Sequence, residues 1–248
     1  MIALVEAELL KLRTTRAWIG YALALVALTG IGVAAQIQAT STAELESVDF
    51  QRDLYSTTAI SGLIAFLLGI TAVTWEWRHG TITPTFLSTP RRERVVVAKV
   101  LSSSVVGSLL VVLAVLVVLA VAVPWFAFEG VSLSFGGEIW GRLGRVALAT
   151  ILWGALGAAF GSVVHNQVGA LVGSILWLLL GESLLVALLE LVDAGRVGDF
   201  LPGRALDALE GGQEGAGLEP WAAGLVALAY LVTIGVLGVA RTRRRDVT

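Results

Sequence analysis

Cysteine is absent, so neither a disulfide nor a thiolate metal site is available to this chain. Lysine occurs only at Lys11 and Lys99, and neither lies in a G-x-x-x-x-G-K-[ST] run, so the usual loop that cradles nucleotide phosphates is missing. The 2 histidines, His79 and His165, are too far apart for H-E-x-x-H, which argues against a metalloenzyme. No G-x-S-x-G occurs, and the long apolar runs hold no aspartate and no histidine well inside them. That leaves nothing for an intramembrane protease to work with, and the chain reads as non-catalytic on its own. Charge is scarce too. Only 15% of residues are Asp, Glu, Lys or Arg, where a soluble domain carries about a quarter.

What is plentiful is apolar surface. The chain is 56% hydrophobic with a mean hydropathy of +0.85. These residues fall in runs long enough to cross a hydrocarbon core of about 30 Å. The pattern predicts an all-α polytopic membrane protein, a single domain over 1–248, with six spans at 17–35, 57–75, 96–125, 146–164, 168–185 and 221–240. The third run is longer than a membrane needs, which predicts tilt or projection beyond the lipid. Residues 1–16 read as an interfacial helix, because Ile2, Val5, Leu9 and Leu12 recur at helical spacing before Lys11, Arg13 and Arg16. Glu6 and Glu8, and a positive cluster placed directly before a full-length run, fit a retained helix better than a signal peptide; Gly32-Val33-Ala34 is only a weak cleavage site.

Orientation follows from the basic residues. With an even number of spans, Lys11, Arg13, Arg16, Arg78, Arg91, Arg92, Arg94, Lys99, Arg241, Arg243, Arg244 and Arg245 share one side. Arg52, Arg142, Arg145, Arg196 and Arg204 are left for the other, together with most acids. Both termini are therefore expected inside, with 241–248 as a cytoplasmic tail that anchors on anionic lipid. The 186–220 segment is expected to hold short outer helices, broken at Pro202-Gly203 and resuming over 205–209. Gly211, Gly212, Gly215 and Gly217 would make a flexible tip.

Within the spans, Glu182 is the candidate intramembrane polar site, since a carboxylate in lipid is commonly a proton or cation site. Its place near the end of the fifth run suits a structural role as well. Gly157 and Gly161, then Gly169 and Gly173, put small residues at four-residue spacing on the fourth and fifth spans. The tight His165-Asn166-Gln167 connection predicts that these stripes pack within one hairpin; a subunit contact is the alternative. Trp18, Trp75, Trp77, Trp125, Trp140 and Trp221 fall near span ends and read as interfacial anchors.

The loop 76–95 is the most basic interruption. By its chemistry alone Glu76 can pair with Arg78 or with a cation of a partner. Thr83-Pro84 can open a short helix and Pro90 would end it, leaving Phe86 and Leu87 as apolar knobs beside Arg91 and Arg92.

The order Glu76-x-x-x-Gly80-Thr81-Ile82, Leu87-Ser88-Thr89-Pro90-Arg91-Arg92, Ala98-Lys99 resembles the intracellular loop of type-2 ATP-binding-cassette (ABC) export permeases of bacteria. The opening Ala7-Glu8-Leu9-Leu10-Lys11-Leu12-Arg13-Thr14-Thr15-Arg16 is similar to the entry helix of actinobacterial members, and Leu201-Pro202-Gly203-Arg204-Ala205-Leu206 to their outer helix before the last span. The resemblance implies a cytoplasmic coupling helix between spans two and three. It also implies two copies of a separate ATPase subunit, which would carry ATP and magnesium. A second permease subunit, an identical copy slightly ahead of a related one, would complete the pathway in a plasma membrane, with membrane lipids as neighbours, no nucleic acid and no cofactor on this chain. By that carry-over Arg78, Gly80, Thr81, Phe86, Arg91 and Arg92 contact or position the ATPase, and Glu76 and Lys99 brace the loop. Thr83-Pro84-Thr85 departs from the family, where many members have an uninterrupted helical stretch. The implied activity is outward movement of a hydrophobic or amphipathic compound, whether a drug, a lipid-like molecule or a peptide. Two other readings stay open: a proton-coupled secondary transporter using Glu182, and a non-transporting scaffold or sensor.

Overall fold

The computed structural model describes residues 1–134, 136–212 and 217–244. Gly215, expected in a flexible tip, and Arg245, expected in the basic tail, lie outside the described residues. The protein is an all-α polytopic membrane protein, with no strand among the described residues. Helices dominate because lipid offers no partner to a free backbone N–H or C=O. Among the described residues six stretches are long and apolar enough to cross a membrane: Ala17–Gln38, Val48–Arg78, Arg92–Glu129, Gly137–Val163, Gln167–Glu190 and Pro220–Arg244.

In chain order the helices are α1 (Ile2–Thr14), α2 (Ala17–Gln38), α3 (Thr42–Leu45), α4 (Val48–Ser56), α5 (Ile60–Arg78), α6 (Ile82–Ser88) and α7 (Arg92–Glu129). They continue as α8 (Gly137–Val163), α9 (Gln167–Leu176), α10 (Glu182–Glu190), α11 (Pro202–Glu210) and α12 (Pro220–Arg244). The 38 residues of α7, at about 1.5 Å each, make a rod of roughly 57 Å, so it does project well past a bilayer core. The fifth span does not stop at 185. A π turn at Trp177–Gly181 carries α9 into α10 without a break. Helix α11 starts at Pro202 itself, whose missing N–H costs nothing at the first helical position. It ends at Gly211, which takes the left-handed conformation (φ 84°).

Two short helices, α3 and α4, precede α5. The Ser47 hydroxyl accepts from the Phe50 N–H and starts α4. Buried Gln51 on α4 then joins two connections: its amide donates to the carbonyls of Leu45 and Ser132, each at 3.0 Å.

The centre of the bundle is α8, packed against α5, α7 and α12. Apolar side chains gain little by leaving lipid for one another, so close backbone approach matters more. The small-residue run Gly154–Gly161 provides it. A Cβ on Gly154 would lie 2.7 Å from the Ser103 carbonyl of α7, and one on Gly69 of α5 would lie 2.5 Å from the Gly154 carbonyl. A Cβ on Gly157 would collide with the Phe66 carbonyl, and one on Gly161 would sit 3.1 Å from the Ile70 carbonyl. The expectation that these glycines pack within the α8–α9 hairpin is therefore corrected. Gly157 and Gly161 face α5. The atoms nearest a Cβ on Gly169 belong to its own turn residue Asn166, and Gly173 has open space around it. Gly157→Leu is expected to push α5 off α8 and to abolish the folded species in detergent size-exclusion, while Gly173→Leu leaves the profile unchanged.

Candidate functional site

The two ends of the bundle differ in charge. One end holds α1, the α5–α6–α7 turn and the C-terminus of α12, and is basic. The other holds α3, α4, the end of α10 and α11, and is acidic.

At the basic end both lysines of the chain enter one ring of four charges. Lys99 Nζ lies 2.7 Å from Glu8 Oε2 and 2.8 Å from Glu76 Oε1. Lys11 Nζ lies 2.6 Å from Glu8 Oε1 and 2.9 Å from Glu76 Oε1. Each carboxylate thus serves both ammonium groups, and each ammonium serves both carboxylates. The ring joins α1, α5 and α7, and Lys11 also donates to the Thr85 hydroxyl of α6 at 3.2 Å. Lys99, Glu8 and Glu76 keep only 3%, 8% and 7% of their side-chain surface. Such charges are tolerable only because the set is complete. Partial burial pulls Lys11 down, but hydrogen bonds and charge from Glu8 and Glu76 outweigh it and hold its pKa above the ordinary lysine value.

The bracing pair Glu76 and Lys99 was foreseen as two ends of one loop. Glu76 takes Lys11 and Lys99 as partners rather than Arg78, which instead reaches Gln167 at 3.4 Å. The contributions of Glu8, Lys11 and Thr85 are absent from that expectation; Glu8 and Lys11, three apart on α1, were the available signal.

The short helix α6 rests on this ring. Its entry turn needs Gly80, which sits at φ 69° in the left-handed region with open space around it. Helix α6 begins at Ile82, two residues before the expected start at Pro84. The expectation that Phe86 projects as a knob is corrected. Phe86 is 8% exposed, packed among Ile82, Val95 and Trp77. The Trp77 ring stands edge-on at 6.2 Å, and the Arg92 guanidinium lies 5.1 Å from the Phe86 ring centre. Arg92 also donates to the Thr242 carbonyl of α12 at 3.0 Å. The exposed knob is Leu87, at 79%. Around it Arg78, Gly80, Thr81, Arg91 and Arg94 are exposed. One small surface thus combines an apolar tip with a basic rim, and the ring beneath ties it to α1, α5 and α7.

Neither a protein-family model nor a curated protein matches this chain.

At the acidic end Glu182 meets the N-terminus of α11. Its Oε1 accepts from the Gly203 N–H at 2.9 Å and its Oε2 from the Arg204 N–H at 3.2 Å. A carboxylate there complements the positive end of the helix dipole. A Cβ on Gly203 would lie 2.5 Å from Glu182 Oε2, so the glycine lets the acid approach. At the other end of α11, Arg142 of α8 donates to the Gly211 carbonyl. Helix α11 is thereby held by an anion at its N-terminus and a cation at its C-terminus. Gly203→Ala is expected to displace Glu182 and expose α11 to limited proteolysis near residue 202; an unchanged digestion pattern would contradict that role.

Proposed function

We propose that the chain is the membrane-spanning subunit of an ATP-driven exporter of the type-2 ABC kind, moving a hydrophobic or amphipathic compound outward across a bacterial plasma membrane. The basic end faces the cytoplasm in this reading, following the excess of Lys and Arg there. The observation that carries the proposal is the ring Glu8–Lys11–Glu76–Lys99 under α6. A surface that only fixed topology would need positive charge but no rigid mount. Here an exposed Leu87 with a basic rim is fastened to α1, α5 and α7, so a push on α6 passes into three helices at once. Two ATPase subunits would dock on this surface and carry ATP and magnesium, and a second membrane subunit would complete the pathway.

Charge inside the bundle is consistent with an apolar route. Glu182 has both oxygens engaged by backbone amides, which suits holding α11 better than shuttling protons. The test is co-purification of the tagged chain from mild detergent, from cells that also express its genomic neighbours. The expected result is a stoichiometric nucleotide-hydrolysing partner whose activity responds to added amphiphiles. A clean chain with no ATPase would overturn the reading.

A further inference from the structure

Glu8, Lys11 and Glu76 of the charge ring also line a cavity of about 250 Å³ enclosed by α1, α2, α5 and α6. A cavity of about 150 Å³ already admits benzene, so this one has room for a fused pair of rings. Trp18 and Tyr21 of α2 and Trp75 of α5 give it aromatic walls, with Leu68 and Ala72 alongside.

The hydrogen bonds already made decide what the polar wall can still take. The three N–H groups of Lys11 go to Glu8, Glu76 and Thr85. The Thr71 hydroxyl donates to the Leu67 carbonyl at 2.9 Å, which leaves the Tyr21 hydroxyl to donate to Thr71 Oγ1 at 2.7 Å. The Trp18 indole N–H donates to the Arg13 carbonyl at 3.1 Å, and the hydroxyls of Thr14 and Thr15 donate to carbonyls of α1. These donors are spent, whereas acceptors remain. A carboxylate has about four lone-pair sites. Glu76 Oε1 takes both ammonium groups, but its Oε2 meets only the Thr85 hydroxyl at 3.4 Å, which is shared with the Thr81 carbonyl at 3.2 Å.

Charge narrows the choice further. The ring is neutral, with two ammonium groups against two carboxylates, so a cation has no deficit to fill. Arg13, Arg16 and Arg78 stand exposed at the same end and disfavour a cation again. An anion would face the two carboxylates across spent donors. The wall therefore suits an uncharged O–H donor, and the three rings suit one carried on an aromatic frame.

We propose that this cavity binds a small neutral aromatic alcohol, whose hydroxyl donates to Glu76 Oε2 while its rings pack against Trp18, Tyr21 and Trp75. Such compounds collect at the headgroup level for the reason that Trp and Tyr do: an apolar body with one polar handle. An occupant bridges α1, α2 and α5, the three helices around the cavity, and so adds to the mount beneath α6. The site stands whether or not a motor engages the basic end.

The experiment is calorimetric titration of the full chain in phosphatidylcholine nanodiscs with 2-naphthol at neutral pH, with uptake by empty discs subtracted. Saturable binding is expected. The methyl ether 2-methoxynaphthalene keeps the rings but has no donor, and should bind at least about tenfold more weakly, the usual worth of a hydrogen bond to a charged group. The anion 2-naphthoate and the cation 2-naphthylmethylammonium should show no saturable binding. Trp18 is exposed at its outer edge and lies outside the charge ring, so Trp18→Ala should weaken 2-naphthol at least about fivefold by removing one aromatic wall. Ala72→Phe fills the cavity and should abolish binding. Trp140→Ala, on an exposed residue at the acidic end, should leave it unchanged. No saturable binding of 2-naphthol, equal affinity for its methyl ether or for either charged analogue, or unchanged affinity in both Trp18→Ala and Ala72→Phe would overturn the site.

Discussion

Lys99→Met is expected to lower the stability of the protein by about 3–5 kcal/mol, the usual cost of removing one partner from a buried ion pair. The reason is the sharing within the ring. Lys99 keeps 3% of its side-chain surface and lies within 2.8 Å of both Glu8 and Glu76. Without it two buried carboxylates face each other with Lys11 alone, and Lys11 is 40% exposed. In a melt followed by tryptophan fluorescence in mild detergent, the midpoint should fall by roughly 6–20 °C. Lys11→Met should cost less, because water reaches that ammonium. Combining Lys99→Met with Glu76→Gln should recover part of the loss, since the unpaired charge is removed with its partner. A shift of Lys99→Met within about 2 °C would contradict the ring as a structural mount.

Leu87→Asp is expected to abolish transport and ATPase stimulation while leaving the melt unchanged. Leu87 is 79% exposed, so the substitution has almost nothing to disturb within the chain itself. In the proposed docking of an ATPase subunit, the same change puts a charge where the partner would receive an apolar tip. Losses of about 2–4 kcal/mol are typical of such central residues, a weakening of roughly 30- to 1000-fold. Phe86→Ala behaves differently. It empties the contact with Trp77, Ile82, Val95 and Arg92, and should cost about 3–5 kcal/mol of local stability. Partner binding lost in Leu87→Asp with an intact melt, and lost in Phe86→Ala together with the melt, would separate contact from support.

The contrast between these neighbours shows where sequence reading stops. The six spans were legible because each is a long apolar run, and the third was recognised as overlong. Span ends and the short helices were less so. Helix α4 depends on a Ser47 cap and on Gln51 reaching the Ser132 carbonyl, 81 positions away. Over the seven residues of α6, periodicity is too short to say which of Phe86 and Leu87 turns inward. At Gly157 and Gly161 the glycine spacing marked a close approach but not its partner, and at Gly169 and Gly173 no close helix approach exists. Chain adjacency favours the α8–α9 hairpin, whereas the backbone of α8 meets α5. Glu76 and Lys99 entered as braces of the loop only through the family resemblance. That Glu8 and Lys11 complete their ring depends on how α1 lies across α5 and α7, a tertiary fact between residues as far apart as Lys11 and Glu76.

The absence of cysteine makes the most direct measurement simple, because any introduced thiol is the chain's only one. Leu87→Cys should be labelled by a membrane-impermeant maleimide only after cells are opened. In inside-out vesicles carrying the genomic neighbours, it should cross-link to a protein that hydrolyses ATP, and ATP should alter the yield. Labelling of Leu87→Cys on intact cells, or no cross-link to any ATPase in such vesicles, would contradict the claim that force enters the membrane through α6.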